Sequence, residues 1–459
     1  MLLAGLKIVA GLTTALGGSP SVSAQTVRLY SVIDLGDFPG GAEQSQAFAI
    51  NTSGQTVGVG QNSSRNRAFL TSFDAGGNVS LVDLGALPNL PSTRAYAINP
   101  RGQIVGASGD GDKSRAFLWN PSAPNSASGS MVEIEDLPGE RNNTSARGIN
   151  AIGQVVGYSI GRAFLWTPTV PNGTTGTAID LEGLPGGNDA SFAFGVNASG
   201  QVVGFSNTDA GDHAFLWTPN SANGTTGAMI DLGNLPGASG LSQAAAINDA
   251  GAVVGNSVTA SGPHAFLWRP TAPNGTSGTM IDLGDLEGGN DESFAFALDA
   301  REEVVGYSNS AASNHPFVWT QQNGMVDLNT VLDESGAAWE LLFAQGINDA
   351  GQIVGSGIFD PDGPGEIAPA THAYRLEPIA ELVVGRLYIS RDAEGAFTLR
   401  FVALRGARYQ VEGATDLIGG WQPVGDPISG AGGIATIHVP QSGDRGFWRV
   451  TEVAPQSAP

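Results

Sequence analysis

The hydrophobic and polar positions of this chain form a repeating pattern of four short words. An alternating run ending in Ile-Asn or an equivalent is followed by Gly-Gln-Val-Val-Gly, His-Ala-Phe-Leu-Trp and Met-Ile-Asp-Leu-Gly. Each word is rich in Val, Ile, Phe or Trp and is bounded by Gly, Asn, Asp or Pro, which is typical of β-strands separated by turns. One complete set occupies residues 191–197, 200–204, 213–217 and 229–233.

The third word gives the number of repeats. It occurs seven times, at a spacing of about 50 residues, which is typical of propellers and solenoids. The copies lie at 67–71, 115–119, 162–166, 213–217, 264–268, 315–319 and 372–376.

The links between the words predict how the strands pair. Asn-Ala-Ser-Gly at 197–200 and Asn-Asp-Ala-Gly at 248–251 join the first two words. Asn bonds its own backbone and Gly tolerates positive φ, so these links predict tight hairpins. Polar links lead to the third and fourth words, and the unit is therefore expected to be a four-stranded antiparallel meander.

The order of the words predicts a closed ring. A lone fourth word beginning at Asp34 precedes six full sets, and the last set contains only words one to three. An open array would leave unpaired edges. Pairing of the N-terminal strand, 29–36, beside the last third word, 372–376, would close it. We therefore expect an all-β fold, a seven-bladed β-propeller over 27–378, with a linear β-solenoid as the alternative.

Beyond the repeat, both ends of the chain have their own patterns. Lys7, an apolar stretch at 8–16 and Val22-Ser23-Ala24 predict a secretory signal peptide over 1–24, with an ordinary apolar helix as the alternative. The alternating strands of residues 380–459 predict a small β-sandwich domain. These strands are expected at 397–402, 408–412, 434–439 and 446–451.

The repeat resembles the HAF family of extracellular repeats, named for His-Ala-Phe, over roughly residues 30–378. Three copies begin with Arg67, Arg115 and Arg162 in place of His, the sixth reads His-Pro-Phe at 315–317, and the seventh reads His-Ala-Tyr at 372–374. The resemblance implies secretion and a propeller-like fold, and it supplies no established activity and no catalytic residue. The words that carry it are His-Ala-Phe at 213–215 and 264–266, Ile-Asn-Asp-Ala-Gly at 247–251 and 347–351, and Asp-Leu-Gly at 231–233 and 282–284.

The amino-acid composition limits the kinds of partner that the protein is expected to bind. The net charge of −22 argues against nucleic acid and anionic membranes as partners, and it keeps an exported protein soluble. The absence of cysteine excludes a disulfide framework and thiolate chemistry. We expect a monomer that does not insert into membranes.

Most recurring polar and aromatic residues have a structural interpretation. Arg replaces His in three third words, so we expect a polar cap there and not a metal or base site. The Phe and Trp of the same word are expected in the core, and the Asp of Asp-Leu-Gly is expected to cap a turn. The glycine after Val-Val predicts a bulge or a close backbone approach. The sequons at Asn172, Asn223 and Asn274 are interpreted as turns.

Residues that differ between repeats are the candidates for function. In the expected ring the first strand lines the channel, and the loops before the first and third strands share one face, the top face. Asp189, Asp209, Asp212, Asp291 and Glu292 form the candidate ligand face there. Asp360, Asp362 and Glu366 are candidate calcium ligands, with solvated surface acid as the alternative. No other cofactor is expected.

The function expected from the sequence is that of a secreted binding or scaffold protein whose partner is an extracellular polysaccharide or a protein. One alternative is a polysaccharide-active enzyme, a glycosidase or lyase, with two carboxylates at the mouth of the channel. The other alternative is a purely structural surface protein.

Overall fold

The computed structural model describes residues 26–453 with several gaps, and the predicted signal peptide lies outside the described residues. The gaps are 42, 63–64, 74–75, 111–112, 136, 138–142, 239, 287, 310–312, 364–367, 384–386, 392–396, 404–407, 415–421, 425–426, 430–432 and 440–446. The described residues form β-strands and two short 3-10 helices, Leu328–Val331 and Glu334–Ala338. Neither helix has the length or apolarity that crossing a membrane requires.

Six four-stranded sheets follow one another along the chain, and in each the strands pair in sequence order. Sheet 1 contains Ser45–Ile50, Thr56–Asn62, Arg65–Phe73 and Val79–Asp83. Sheet 2 contains Ser92–Ile98, Ile104–Asp110, Lys113–Pro121 and Gly129–Glu133. Sheet 3 contains Thr144–Ile149, Val155–Ser159, Arg162–Pro168 and Gly176–Asp180. Sheet 4 contains Ser191–Val196, Val202–Thr208, Gly211–Pro219 and Gly227–Gly233. Sheet 5 contains Ser242–Ile247, Val253–Val258, Pro263–Pro270 and Gly278–Asp282. Sheet 6 contains Ser293–Leu298, Val304–Asn309, Asn314–Thr320 and Gly324–Asp327.

Sheet 7 combines the two ends of the repeat. Its first three strands are Trp339–Ile347, Ile353–Phe359 and Ala370–Val383, and the N-terminal strand Thr26–Gly36 pairs beside the third of them. The four words of the sequence therefore correspond to four strands, as predicted, and repeated four-stranded antiparallel sheets make up most of the chain.

The core lies between neighbouring sheets. The Phe and Trp of the third word are buried, as predicted; Phe215 is fully inaccessible and Trp217 is 4 % exposed. Both pack in one cluster with Val156 and Leu165 of the preceding sheet. Because each sheet repeats this arrangement against the next, burial of the repeated words holds adjacent sheets together.

The recurring glycine of the second strand allows a close backbone approach, which confirms that prediction. The first strand bulges at this point, as between Ala193 and Gly195 in sheet 4. A Cβ built on Gly204 would lie 1.8 Å from the Phe192 carbonyl oxygen, so no other residue fits there without moving the backbone.

The C-terminal region forms two further sheets. One contains Leu387–Arg391, Phe397–Ala403 and Gly433–Val439; in the other, Arg408–Ala414 pairs with Gln422–Pro423, Ile428–Ser429 and Phe447–Val453. Side chains of both sheets, including Phe401 and Val411, share one hydrophobic cluster.

The chain folds into two compact units. One contains the described residues of Val32–Met325 and Ser335–Glu377, and the other contains the described residues of Met1–Ser31, Val326–Glu334 and Pro378–Pro459.

Candidate functional site

The His or Arg that begins the third word pairs with the acidic residue of the fourth. His213 Nδ1 lies 2.7 Å from Asp231 Oδ2, and Arg67 Nη2 lies 2.9 Å from Asp83 Oδ1. Both side chains bind a carboxylate of the neighbouring strand, which explains why His and Arg alternate here. This is a structural role, as expected. The other pairs are Arg115–Glu133, Arg162–Asp180, His264–Asp282 and His372–Asp34.

The same carboxylates cap turns, which confirms the prediction for the Asp-Leu-Gly word. Asp231 Oδ1 accepts a hydrogen bond of 2.7 Å from the backbone N–H of Gly233. Asp34 does the same for Gly36 at 2.8 Å. Each Asp therefore stabilises both its own turn and a cross-strand pair.

Asparagines at the end of the first strands join one sheet to the next. Asn51 Nδ2 donates to the Asn99 carbonyl oxygen at 3.3 Å, while Asn51 Oδ1 accepts from the backbone of its own turn. We call this series the asparagine ladder. The same bond runs from Asn99 to Asn150, Asn150 to Asn197, Asn197 to Asn248, Asn248 to Asp299, and Asn348 to Asn51.

Asp299 occupies the ladder position in sheet 6, where a carboxylate has no N–H to donate. Its side chain is fully buried, and Arg301 Nε donates to it at 2.9 Å. Burial raises the pKa of Asp299, and this effect is opposed by hydrogen bonds from the Glu303 backbone and Arg301.

The sequon asparagines hold turns, in agreement with the interpretation from the sequence. Asn223 has a positive φ of 58°, and its Nδ2 donates to the Ala198 carbonyl oxygen at 3.1 Å. Its Oδ1 accepts from Asn150 of the preceding sheet at 3.3 Å. The side chain is thus committed within the protein.

Four of the five residues predicted for the ligand face lie in loops, and Asp212 lies at the start of the strand Gly211–Pro219. Asp189 and Asp291 are exposed and have positive φ values of 61° and 52°. Asp209 is also exposed, and Asp212 Oδ1 accepts from Asn207 at 3.2 Å.

Glu292 differs from these loop residues because it is half-buried beside an aromatic side chain. Its Oε2 accepts from Asn309 Nδ2 at 3.1 Å. Burial raises the pKa of Tyr307, and the charge of Glu292 raises it further. Among the residues predicted for the ligand face, Glu292 is thus the one whose charge raises the pKa of a neighbouring tyrosine.

The calcium prediction falls partly outside the described residues, because Glu366 lies in the gap at 364–367. Asp362 is exposed, and Asp360 Oδ1 is buried without a hydrogen-bond partner. Within the described part of the chain, no three Asp, Glu or His side chains converge in a way that could hold a metal ion. The calcium site stays a prediction.

Half-buried aromatic side chains on the first and second strands of sheets 1 to 4 contact one another. Phe48 stacks on Tyr96 of the next sheet at a centroid distance of 5.8 Å, and Phe192 meets Tyr158 of the preceding sheet at 5.0 Å. We call this group the aromatic belt. Its members are Phe48, Tyr96, Tyr158, Phe192, Phe194 and Phe205.

Arg147 lies at the centre of the aromatic belt. Its guanidinium carbon is 4.0 Å from the ring centroid of Tyr96 and 5.9 Å from that of Phe194. Arg147 Nη2 donates to Tyr158 Oη at 3.0 Å, and Nε is buried without an acceptor. Aromatic faces stabilise this cation in place of a carboxylate.

A second aromatic group lies on sheets 6 and 7. Tyr307 stacks on Phe294 at 5.0 Å and meets Phe343 of sheet 7 edge-on at 5.1 Å. At the same strand positions sheet 5 carries Gln243, so the aromatic surface is interrupted there.

Beyond the bulge, the first strands approach each other closely. A Cβ on Gly148 would lie 2.7 Å from the Phe194 carbonyl oxygen, and one on Gly346 would lie 3.2 Å from Ala49 Cα of sheet 1. Small residues therefore bring neighbouring first strands together at the end nearer the asparagine ladder, whereas large side chains occupy the other half.

A polar cavity of about 280 Å³ adjoins the start of the first strands of sheets 1 and 2. This volume is near the lower limit of ligand pockets, roughly 300–1,000 Å³. Its wall contains Gln46, Gln61, Asn66, Arg94 and Thr371. Arg94 is two residues from Tyr96 on the same strand, so the cavity and the aromatic belt share one strand.

The aromatic belt was not among the residues predicted from the sequence. In the sequence, the belt could have been recognised from the segment Phe192-Ala193-Phe194, in which the small Ala193 is fully buried and the two larger rings are only half-buried. This reversal of the usual size pattern in a strand distinguishes the belt from the core.

No protein-family model matches the chain, and comparison with curated proteins gives no match. The residues described above are therefore the basis on which a function can be proposed.

Proposed function

We propose that the chain is a seven-bladed β-propeller over 27–378, closed by its N-terminal strand and followed by a β-sandwich at 380–459. Three contacts support the closure: Thr26–Gly36 pairs in sheet 7, His372 pairs with Asp34, and Asn348 donates to the Asn51 carbonyl oxygen at 2.9 Å. The signal-peptide pattern at 1–24 and the HAF resemblance support our proposal that the protein is exported.

The function that we propose is binding of an extracellular polysaccharide at the mouth of the propeller channel. The observation that carries this proposal is the aromatic belt, since its half-buried rings belong to none of the hydrophobic clusters between sheets that the structure describes. Aromatic faces offer rigid apolar surfaces on which a sugar ring can stack, and neighbouring Gln and Asn side chains can bond its hydroxyls.

Truncation of the aromatic belt tests this proposal. A panel of saccharides is screened against the mature protein, and the best binder is titrated against Phe194→Ala and Tyr96→Ala. Loss of a buried aromatic contact should weaken binding by about tenfold or more. Phe73→Ala, which truncates an exposed ring on a third strand, serves as the matched control and should bind normally.

The outcomes separate the candidate functions. Equal binding by all variants would contradict the proposed site. Shortened oligosaccharide products, lost in Glu292→Gln, would instead support the catalytic alternative. Absence of binding by any saccharide would favour a structural or protein-binding role.

A further inference from the structure

We propose that the channel mouth selects an anionic polysaccharide, one that carries carboxylates as uronic acid polymers do, and that Arg94 and Arg147 bind those carboxylates. This inference rests on the proposed function and specifies the class of its ligand.

The two arginines have unusual electrostatics for this chain. Its net charge is −22, and arginines such as Arg67, Arg115 and Arg375 pair with acids. Among the residues that the structure describes, by contrast, no carboxylate forms an ion pair with Arg94 or Arg147. Their positive charge is therefore available to a ligand.

Arg147 is held in a way that suits a carboxylate ligand. Tyr96 lies under its guanidinium plane, Tyr158 accepts from one terminal nitrogen, and Nε is buried with no acceptor. A fixed guanidinium loses little conformational entropy when it binds a carboxylate.

Arg94 lies at the cavity. The side chain is exposed in a wall of Gln46, Gln61 and Asn66, which supply both donors and acceptors. Arg94 lies two residues from Tyr96 on the same strand, and the Arg147 guanidinium lies over the Tyr96 ring, so a saccharide bound beside this ring would meet both cations. Rings and cations thus alternate, as a polymer with regularly spaced carboxylates requires.

Charge density distinguishes this ligand from other anions. Nucleic acids need many cations to neutralise closely spaced phosphates, and the acidic surface of this chain opposes them. A polysaccharide with a single carboxylate on each sugar needs only local pairing, which two arginines can provide.

The experiment compares two ligands that differ only in charge. Galacturonic acid oligomers and their methyl-esterified forms are titrated calorimetrically against the full mature protein at low and high salt. We expect the acid form to bind more tightly and to weaken with salt. Arg94→Gln and Arg147→Gln should each reduce this binding by about tenfold or more.

Arg101→Gln is the matched control, since Arg101 is exposed in a turn beside the asparagine ladder and its loss changes the net charge equally. It should bind as the parent does. Thermal melting checks that each variant is folded; because Arg94 is exposed, its variant tests the inference even if Arg147→Gln is destabilised.

Each outcome is decisive. Equal binding of both forms, with loss only in Tyr96→Ala, would overturn the anionic preference and leave the proposed function standing. Binding of neither form together with binding of neutral glycans would do the same. Binding of an acidic peptide and of no saccharide would overturn both proposals.

Discussion

At the scale of single residues, the hydrogen bonds that a side chain can make decide which residues a repeat position accepts. His and Arg are interchangeable before Ala-Phe because each donates to the same carboxylate, as His213 and Arg67 do. Asn and Asp are not interchangeable in the asparagine ladder, since only Asn both accepts from its own turn and donates to the next sheet.

Asp299→Asn should stabilise the protein by about 1 kcal/mol, because the amide can donate to sheet 7 and no longer carries a buried charge. The raised pKa of Asp299 means that the native state binds the proton more tightly than the unfolded state. The contribution of Asp299 therefore falls as pH rises through that pKa, and the advantage of Asn grows. Thermal melting measures the difference.

Asn197→Asp is the control for this prediction, since it introduces the same change into an intact ladder position and should lower the melting temperature. A lower melting temperature for Asp299→Asn would show that Arg301 stabilises the carboxylate more than a ladder bond would.

His372→Arg should flatten the pH dependence of stability. The hydrogen bond to Asp34 raises the pKa of His372, with Asp37 and Glu43 adding to the effect and burial opposing it. The stabilisation from this pair is complete below the ordinary histidine pKa of about 6.5 and is lost as pH rises through the raised value. Arg stays charged throughout this range.

Melting temperatures of both proteins between pH 5 and pH 9, about the range over which histidine titrates, measure the effect. Asp34→Asn removes the partner and should lower the melting temperature most at low pH. Parallel curves for the parent and His372→Arg would contradict the prediction.

At the scale of strands and turns, the sequence was informative where all copies agree. The four words, their hairpins and the buried Phe and Trp could be predicted because every repeat needs the same packing. The acid–base pairs could not, because their partners lie 16 residues apart in sheet 1, 18 apart in sheets 4 and 5 and 338 apart in sheet 7, and they meet only through strand register. The residues at the positions of the aromatic belt differ from sheet to sheet, so a search for words shared by all copies does not find them.

Asn223→Ala should destabilise the protein by about 1–2 kcal/mol, since it removes two hydrogen bonds and leaves alanine at a positive φ. Thr225→Ala abolishes the same sequon but leaves Asn223 in place, and it should melt like the parent. Equal melting of the two variants would mean that the asparagine does not hold this turn.

Deletion of residues 25–36 should leave the protein prone to aggregation, because Ala370–Val383 would lose its outer partner and present an unpaired edge. Light scattering and thermal melting measure this. If the truncated protein melts like the parent and remains monodisperse, the closure that we propose is wrong.

At the scale of the whole molecule, a frame of repeated four-stranded sheets supports a surface that differs from sheet to sheet. Repeated cores join the sheets, while the aromatic belt lies on sheets 1 to 4 and a second aromatic group lies on sheets 6 and 7. The repeated strands thus position the aromatic residues that vary between sheets, and it is these residues that could bind a ligand.

Calcium is expected to raise the melting temperature of the whole protein if Asp360, Asp362 and Glu366 bind it, since a ligand of the native state stabilises that state. Melting with added calcium and after chelation, with Asp362→Asn as the control, measures the effect. An unchanged melting temperature would exclude a stabilising calcium site.

The asparagine ladder also gives the molecule a direction. Each ladder amide donates to the sheet that follows it along the chain, and Asn348 of sheet 7 donates to Asn51 of sheet 1. The junction without an asparagine donor is that between sheets 6 and 7, at Asp299. In the closed ring that we propose, the seam where the two ends of the repeat meet therefore has a ladder bond, and the junction that lacks one falls where the chain is continuous and separated strands cannot diffuse apart.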